Sequence, residues 1–550
     1  MQLAHDPDLD FYYVGEEEPR AGLYRELVEG NHKLISVDVE TISLKERIAT
    51  GVGISFDSSK ALYFPLFPKE SAVVPWKLLR DPGVVKVYHN SLFDILCLRE
   101  YDMDYSQTRD TNVMAQLLNI RPSRLYDLTA YMFINHGKYM QVKDMGELLK
   151  EHKARITLDL PKETVAIKCC QDAMATLEVY NFLLPKMDKD YYLTEMEVIP
   201  TLVNMSHCGM AIDQEARYVL ELKLQKEVDT YLQLAEEMGF NPASAQQVGY
   251  MLAKRGAYRI FNKIPFNRGG RSIKADVEVL SRMDDPLANM VLSYRACSKL
   301  LSTYIRPWAN ESRAYTRFHL DAITGRPSST DRNLQNIPQG EPRGIFIPDN
   351  GCFTDVDFSQ LELRVLAYLS QDLEMQYILN NPNGDIHQAT ADFLGIDRRP
   401  AKTINFAMVY GATDSTIAEQ AHVSVQRAGE WKKGWFEKYK QAGSWIEYQQ
   451  EKALVDGYIT TVFGRKIALP TLDEETSDGI MRKAIDYPCQ GSAAEIAKRA
   501  LIRCKHLPMV LMVHDELLFD SKIPKEEFDS LEHIAPFWTP VGVKYLLRWE

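Results

Sequence analysis

The 550-residue chain contains no Cys-x-x-Cys pair and no cysteine–histidine cluster at zinc spacing, and its eight cysteines are scattered at positions 97, 169, 170, 208, 297, 352, 489 and 504. That pattern excludes a disulfide scaffold and a zinc-finger framework, and it is the usage of a reduced, cytoplasmic protein. No apolar run approaches the ~20 residues that span a bilayer. The first residues, MQLAHDPDLDFYYVGEEEPR, are acidic and lack a basic stretch followed by an apolar one, so neither export nor a membrane partner is expected. Positive charge is not in excess either: 64 Lys and Arg against 76 Asp and Glu leave a net charge of −12. A polyanionic partner would therefore have to be held by local patches. Internal repeats and low-complexity segments are absent.

The chain does have ordinary globular proportions, with 45% apolar and 25% charged residues. Its length corresponds to about three to four domain-sized units. Residues 1–190 carry 23 basic against 29 acidic residues and the remainder 41 against 47, so charge marks no boundary. Periodicity is more informative. KLISVDVET, IATGVGISF and VVKVYHN are β-rich runs and SLFDILCLRE starts a helical pattern, which predicts an N-terminal α/β domain. From about Tyr191 to Leu301 the pattern is helical almost throughout, as in RYVLELKLQKEVDTYLQLAEEMG with its terminal Gly. FNKIPFNRGGRS is a loop. Beyond Glu311, β-like runs such as GCFTDVDFS and VLMVHDELLFD alternate with helical segments near 386–410 and 415–456, a mixed α+β region.

Asp357 ends one of these β-like runs and Asp515 lies inside another. Carboxylates projecting from two adjacent strands can hold a pair of divalent ions about 3.5–4 Å apart, the arrangement for in-line phosphoryl displacement. A lone Asp more often caps a turn or pairs with an Arg. Between the two, Arg398, Lys402, Phe406 and Tyr410 recur every four residues, which on a helix lines them along one face with cations first and aromatics last. Such a face can take a nucleoside triphosphate. The alternative is an amphipathic helix with a solvated basic stripe.

TGRPSSTDRNLQNIP (324–338), DFSQLELR (357–364), DIHQATA (385–391), RRPAKTINFAMVYG (398–411) and VHDE (513–516) together closely resemble the motifs of the family A DNA polymerases, in the family's order. NPASAQQVGYML, SYRACSKLLSTYI, YITTVFGRKIALP and PCQGSAAEIAK extend the similarity. The resemblance implies a right-hand polymerase with thumb, palm and fingers. Asp357 and Asp515 would hold the metal ions, two Mg2+ with Mn2+ as a substitute, and Glu516 would support them. Gln360, His387, Arg398 and Lys402 would surround the incoming deoxynucleotide, with Phe406 under the sugar and Tyr410 near the templating base. Glu362 would be the gate against a ribose 2′-OH. Arg326, Asn333, Gln335, Asn336, Gln490 and His514 would contact primer–template DNA. Residues 291–343 carry eight Lys and Arg against four Asp and Glu, a local balance suited to phosphate. Departures from the family pattern are Asp486 for a usual Asn, Ala407 for a usual Gly and Pro327 for a usual Leu.

Asp38 and Glu40 in ISVDVETISL alternate along a strand and so face one side. Buried acids two apart are costly without a cation. Asn90 and Asp94 in YHNSLFDIL lie four apart on a helical face, and Asp172 lies in KCCQDAMATLEVY. Asp38, Glu40, Asp94 and Asp172 resemble the four metal-binding carboxylates of the DEDD 3′→5′ exonucleases, which implies a ribonuclease H-like proofreading domain with two metal ions. Lys168 stands where that family has Tyr, and an ammonium has only donors to offer, so it would neutralise the scissile phosphate or impair proofreading.

The implied division is multidomain, α/β then α+β: exonuclease 1–190, thumb and connecting helices 191–311, palm 312–361, fingers 362–479 and palm again 480–550. With Asp38 so early, no preceding 5′-nuclease domain is expected, and with the loop 261–272 so short, no thumb insertion that recruits a processivity factor is expected. A compact phage replicative enzyme is therefore expected, monomeric, acting in the host cytoplasm beside a helicase or primase. Two competing readings are a single-subunit RNA polymerase, opposed by Glu362, and a silent DNA-binding scaffold, opposed by the intact Asp357, Asp515, Lys402 and Arg398.

Overall fold

Ile35, Val37 and Val39 fill one face of the strand Leu34–Thr41, and Ser36, Asp38 and Glu40 take the other. Both faces are covered, and each fully buried aliphatic side chain contributes roughly 1.5–3 kcal/mol. In this computed structural model, which describes residues 2–6, 11–15, 20–43, 47–67, 70–71, 73–136, 142–261, 264–267, 270 and 272–550, that strand is an inner member of a seven-stranded sheet. Ala49–Asp57 pairs with it antiparallel and Val85–Tyr88 parallel, and Lys60–Pro65 and Thr108–Asp110 extend the two sides. The acidic first residues and the loop 261–272 fall partly outside the described residues.

The helix Lys162–Leu183 lies across the Ser36–Asp38–Glu40 face. Small buried residues, Ala166, Cys169, Cys170 and Ala173, let it approach closely. Gly53 shows how close: a Cβ added there would stand 2.8 Å from the Cys169 carbonyl oxygen. Ser36 Oγ donates to the Ala173 carbonyl at 2.6 Å and fixes the helix in register.

The chain divides into two units. The first, 1–207 with 317–330 and 449–509, contains this sheet, the hairpin strands Tyr458–Thr460 and Lys466–Ala468, and the helix Ser477–Arg503. Inside it, Lys498 is buried and pairs with Glu195 at 2.5 Å, and Tyr191 donates to Glu495 at 2.7 Å.

The second unit comprises 208–316, 331–448 and 510–550. Asp213 caps the helix Gln214–Glu237, accepting from Ala216 N at 3.0 Å, and Gly239, at φ +76°, ends it. Val248, Leu252, Leu280, Leu287 and Val291 build a small core beside it. The helical reading of 191–301 needs one correction, because Met210–Ile212 is a strand, paired with Phe346–Ile347 and Arg313–Ala314. A four-stranded sheet runs in the order Met509–Val513, Glu516–Phe519, Phe353–Phe358, Val541–Leu546. Helices Leu361–Ser370, Ile386–Leu394 and Arg398–Val409 follow its third strand in the chain. The single helical segment expected over 386–410 is broken at Gly395, φ +64°. No helix among the described residues is long and apolar enough to cross a membrane.

Candidate functional site

The second unit gathers carboxylates at one end of the four-stranded sheet. Asp357 is the exposed residue of Phe353–Phe358, and Glu516 stands opposite it on the neighbouring strand. Asp515 does not lie inside a strand as its β-like surroundings suggested. VLMVHDELLFD is two strands joined at His514 and Asp515, and His514 takes the left-handed conformation, φ +59°, that the tight turn requires. The Phe358 amide donates to the Asp515 carbonyl at 3.4 Å, which ties the turn to the end of the Asp357 strand.

Loss of water around the Asp357 carboxyl, followed by Asp515, Asp355 and Glu516, pushes its pKa up to about 7. Asp355 was not singled out from the sequence. It lies two residues earlier on the same strand face, is buried, and rises to about 6, through burial first and Glu516 second. Its Oδ1 has no hydrogen-bond partner, and Lys544 Nζ approaches Oδ2 only to 3.8 Å. Glu516 is fixed by Arg343 at 3.2 Å and by Trp549 Nε1 at 3.0 Å, with the Arg343 guanidinium 4.3 Å from the Trp549 ring. A buried carboxylate oxygen without a donor, among hard oxygen ligands that repel one another, fits Mg2+ or Mn2+.

Gln360, at φ +55°, precedes the helix Leu361–Ser370, and Glu362 is buried in that helix's first turn. Tyr410 Oη donates to Glu362 Oε2 at 2.6 Å. On Arg398–Val409 the spacing by fours does align side chains. Lys402 Nζ lies 5.9 Å from the Phe406 ring, whose centroid is 6.4 Å from that of Tyr410 at 18°. Arg398 Nε donates to Asp385 at 2.7 Å, and both side chains remain accessible.

His387 is almost wholly buried, with its ring centroid 5.7 Å from Phe406, and burial lowers its pKa to about 4. Asn405 Nδ2 donates to its Nδ1 at 2.9 Å, which leaves a neutral ring with the proton on Nε2. Asn405 was also missed. It accepts from Trp435 Nε1 at 2.9 Å and from Thr390 Oγ1 at 3.1 Å, a hub made by residues far apart in sequence.

The residues expected to contact DNA divide between the units. Asn333 caps the turn Leu334–Asn336, accepting from the Asn336 amide at 3.1 Å, and Gln335 is buried with its amide donating to Met512 O at 3.1 Å. These and His514 belong to the second unit, whereas Arg326 and Gln490 belong to the first. Gln490 Nε2 donates to Asp486 at 2.5 Å, so the unusual carboxylate at 486 has a partner on its own helix.

In the first unit, Asp38, Glu40, Asp94 and Asp172 come together. Ligand atoms of Asp38, Glu40 and Cys169 lie within 4.8 Å of one another. Cys169 had no place in the sequence reading, and its Sγ faces the Asp38 carbonyl at 3.6 Å. Asp94 is buried on the helix Ser91–Cys97, whose start is held by Asp110, accepting from Ser91 N and Oγ at 2.7 Å each. Asn90 stands just before that helix as its N-cap, at φ +72°, and is not one of its helical residues, which corrects the expectation. Burial, then Asp172, pushes Asp38 up to about 7, and burial raises Glu40 and Asp94 well above the carboxylate range. Asp172 is raised as well, and its Oδ1 is buried without a hydrogen-bond partner. Lys168 does not stand apart as a cation for phosphate: it donates to Asp172 Oδ2 one helical turn away. These residues too fit a divalent ion.

Each unit thus carries an acidic centre whose oxygen donors fit a divalent ion. Residues 212–536 match the family model for DNA polymerase family A, and residues 24–188 match that for the 3′-5′ exonuclease. The first match covers more than half of the chain, and the chain belongs to DNA polymerase family A, with the exonuclease domain on its N-terminal side. It is 29% identical to DNA polymerase I of Pseudomonas aeruginosa, over 89% of this chain and 60% of that one. It is 30% identical to DNA polymerase I of Bacillus subtilis, over 78% and 52% respectively. The chain spans about half the length of the curated relatives it matches. In fold it is similar to the POL domain of Pol1 from M. smegmatis, solved in complex with DNA primer-template and dNTP, with a TM-score of 0.78 and 23% identity over 97% of this chain and 98% of that one.

Proposed function

We propose that the chain is a DNA-directed DNA polymerase that extends a primer 3′ end from deoxynucleoside triphosphates and proofreads with its 3′→5′ exonuclease. The observation that carries the reading is the convergence of Asp357 and Asp515, with Asp355 and Glu516 behind them, in one unit with a helix that presents Arg398 and Lys402. The M. smegmatis POL domain, similar in fold, holds DNA primer-template and dNTP, which supports the same substrates here.

Asp357 and Asp515 would hold two divalent ions, Mg2+ or Mn2+. Bound there, such ions supply Lewis-acid stabilisation of the charge that builds on the phosphoryl oxygens in an in-line displacement. Lys402 and Arg398 meet the triphosphate as fixed cations, Arg398 being handed over from Asp385. His387, neutral and with its Nε2 proton directed by Asn405, donates a hydrogen bond without adding charge. Glu362, clamped by Tyr410, blocks the space of a 2′-OH and favours deoxynucleotides. In the other unit Asp38, Glu40, Asp94 and Asp172 would hold the ion or ions that assist removal of a mispaired 3′ nucleotide.

The test is one labelled primer–template incubated with Mg2+ in the presence of deoxynucleotides, of ribonucleotides, and of neither. Lengthening with deoxynucleotides alone and shortening without nucleotides is the expected result. Efficient lengthening with ribonucleotides would sink the DNA polymerase reading in favour of RNA synthesis.

A further inference from the structure

Lys168, on the helix Lys162–Leu183, is buried beside Asp172, with Asp38 and Glu40 as its further charged neighbours. Its ammonium is bonded to Asp172 Oδ2, and the two side chains are only 7% and 13% exposed. The ion pair sets a positive charge inside the centre. The opposite oxygen of the same carboxylate, Asp172 Oδ1, is buried and has no hydrogen-bond partner. One oxygen of Asp172 is thus committed to a fixed cation while the other is presented bare.

We propose that Lys168 is the built-in cation and positioning residue of the exonuclease centre: it orients Asp172 through Oδ2, leaves Oδ1 for a divalent ion, and takes the place in the charge balance of a second tightly held ion. The proposal rests on the exonuclease reading given above. Where a bound ion displaces the protons of all four carboxylates, that divalent ion and the ammonium leave a single net negative charge, whereas a second divalent ion would turn the buried centre positive. At separations of a few ångströms and in a medium less polar than water, a unit positive charge weakens the binding of a divalent ion by about tenfold or more.

The proposal is tested by titrating Mn2+ into the full chain carrying Asp357→Asn and Asp515→Asn, which silence the other centre, with free Mn2+ followed by electron paramagnetic resonance. One tight ion is expected. Lys168→Met should admit a second tight ion, or lower the half-saturating Mn2+ concentration about tenfold or more. Lys168→Gln keeps a donor toward Asp172 without the charge and should behave like Lys168→Met, while Lys168→Arg should bind as the parent does. Two tight ions in the parent, or binding by both Lys168→Met and Lys168→Gln that is unchanged or weaker, would overturn the proposal. Asp38→Asn separates the two levels of the argument: if it leaves Mn2+ binding intact, the carboxylate centre is not a metal site and the exonuclease reading itself fails.

Discussion

Asp357 sets the electrostatic terms of the proposed polymerase centre. Its carboxyl, raised to about 7 by loss of water and then by Asp515, Asp355 and Glu516, holds its proton at the acid edge of the physiological range. A proton and a divalent ion compete for the same oxygens, so the sign is fixed: above about 7 the carboxylate is free to bind, and below it each bound ion must displace a proton. The half-saturating Mg2+ concentration for primer extension should be flat on the alkaline side and rise by about tenfold per pH unit on the acid side, if one proton is displaced. Asp355→Asn removes one of the neighbouring charges that raise Asp357 and should move the break to lower pH. Mg2+ titrations of the extension rate on both sides of the break, at constant ionic strength, measure this. A requirement that does not change with pH would mean that Asp357 is ionised throughout and that its neighbours are compensated by groups other than Arg343 and Lys544.

At the scale of elements, the proposed exonuclease centre depends on how closely the helix Lys162–Leu183 approaches the sheet. Gly53 is the contact that limits it, because a Cβ there meets the Cys169 backbone at 2.8 Å, and backbone cannot rotate away as a flexible side chain can. Gly53→Ala should cost about 1–3 kcal/mol through overpacking. Because it displaces the segment bearing Lys168, Cys169 and Asp172, primer shortening should fall while extension persists. Thermal unfolding together with both activities checks this, and a variant with unchanged melting and unchanged shortening would show that the helix has slack. The side chains on regular elements were legible in the sequence: Asp38 and Glu40 from the period of two in ISVDVET, and Arg398 to Tyr410 from the period of four. Asp515 was misplaced because its flanks, VLMV and ELLF, are all strand formers, and only His514 in the left-handed region reveals the turn. Asp355 was readable in principle, two residues before Asp357 on the same face, but in TDVDF it passes for ordinary alternation. Asn405 and Cys169 carried no local signal, since their partners, Trp435 and Asp38, are distant in sequence.

At the scale of the whole molecule, the two centres are built from separate sets of residues. Asp38, Glu40, Asp94, Lys168 and Asp172 all belong to the first unit, and Asp357, Asp515, Glu516, Glu362 and Tyr410 all belong to the second. No hydrogen bond or ion pair described above joins a member of one set to a member of the other. Substitutions that share no partner add nearly independently, within about 0.3–0.5 kcal/mol. Asp515→Asn should therefore reduce primer extension by about a hundredfold or more, the scale of losing a metal-stabilised transition state, and leave shortening within about twofold. Asp38→Asn should do the reverse, and the double variant should lose both activities while still binding primer–template through its local basic patches. Titrating binding against salt separates affinity from catalysis, because phosphate contacts weaken steeply with ionic strength whereas loss of a carboxylate does not remove them. If Asp38→Asn slowed extension as severely as shortening, the two reactions would have to share a step, and transfer of the primer end from one centre to the other, rather than chemistry at either, would set the rate of both.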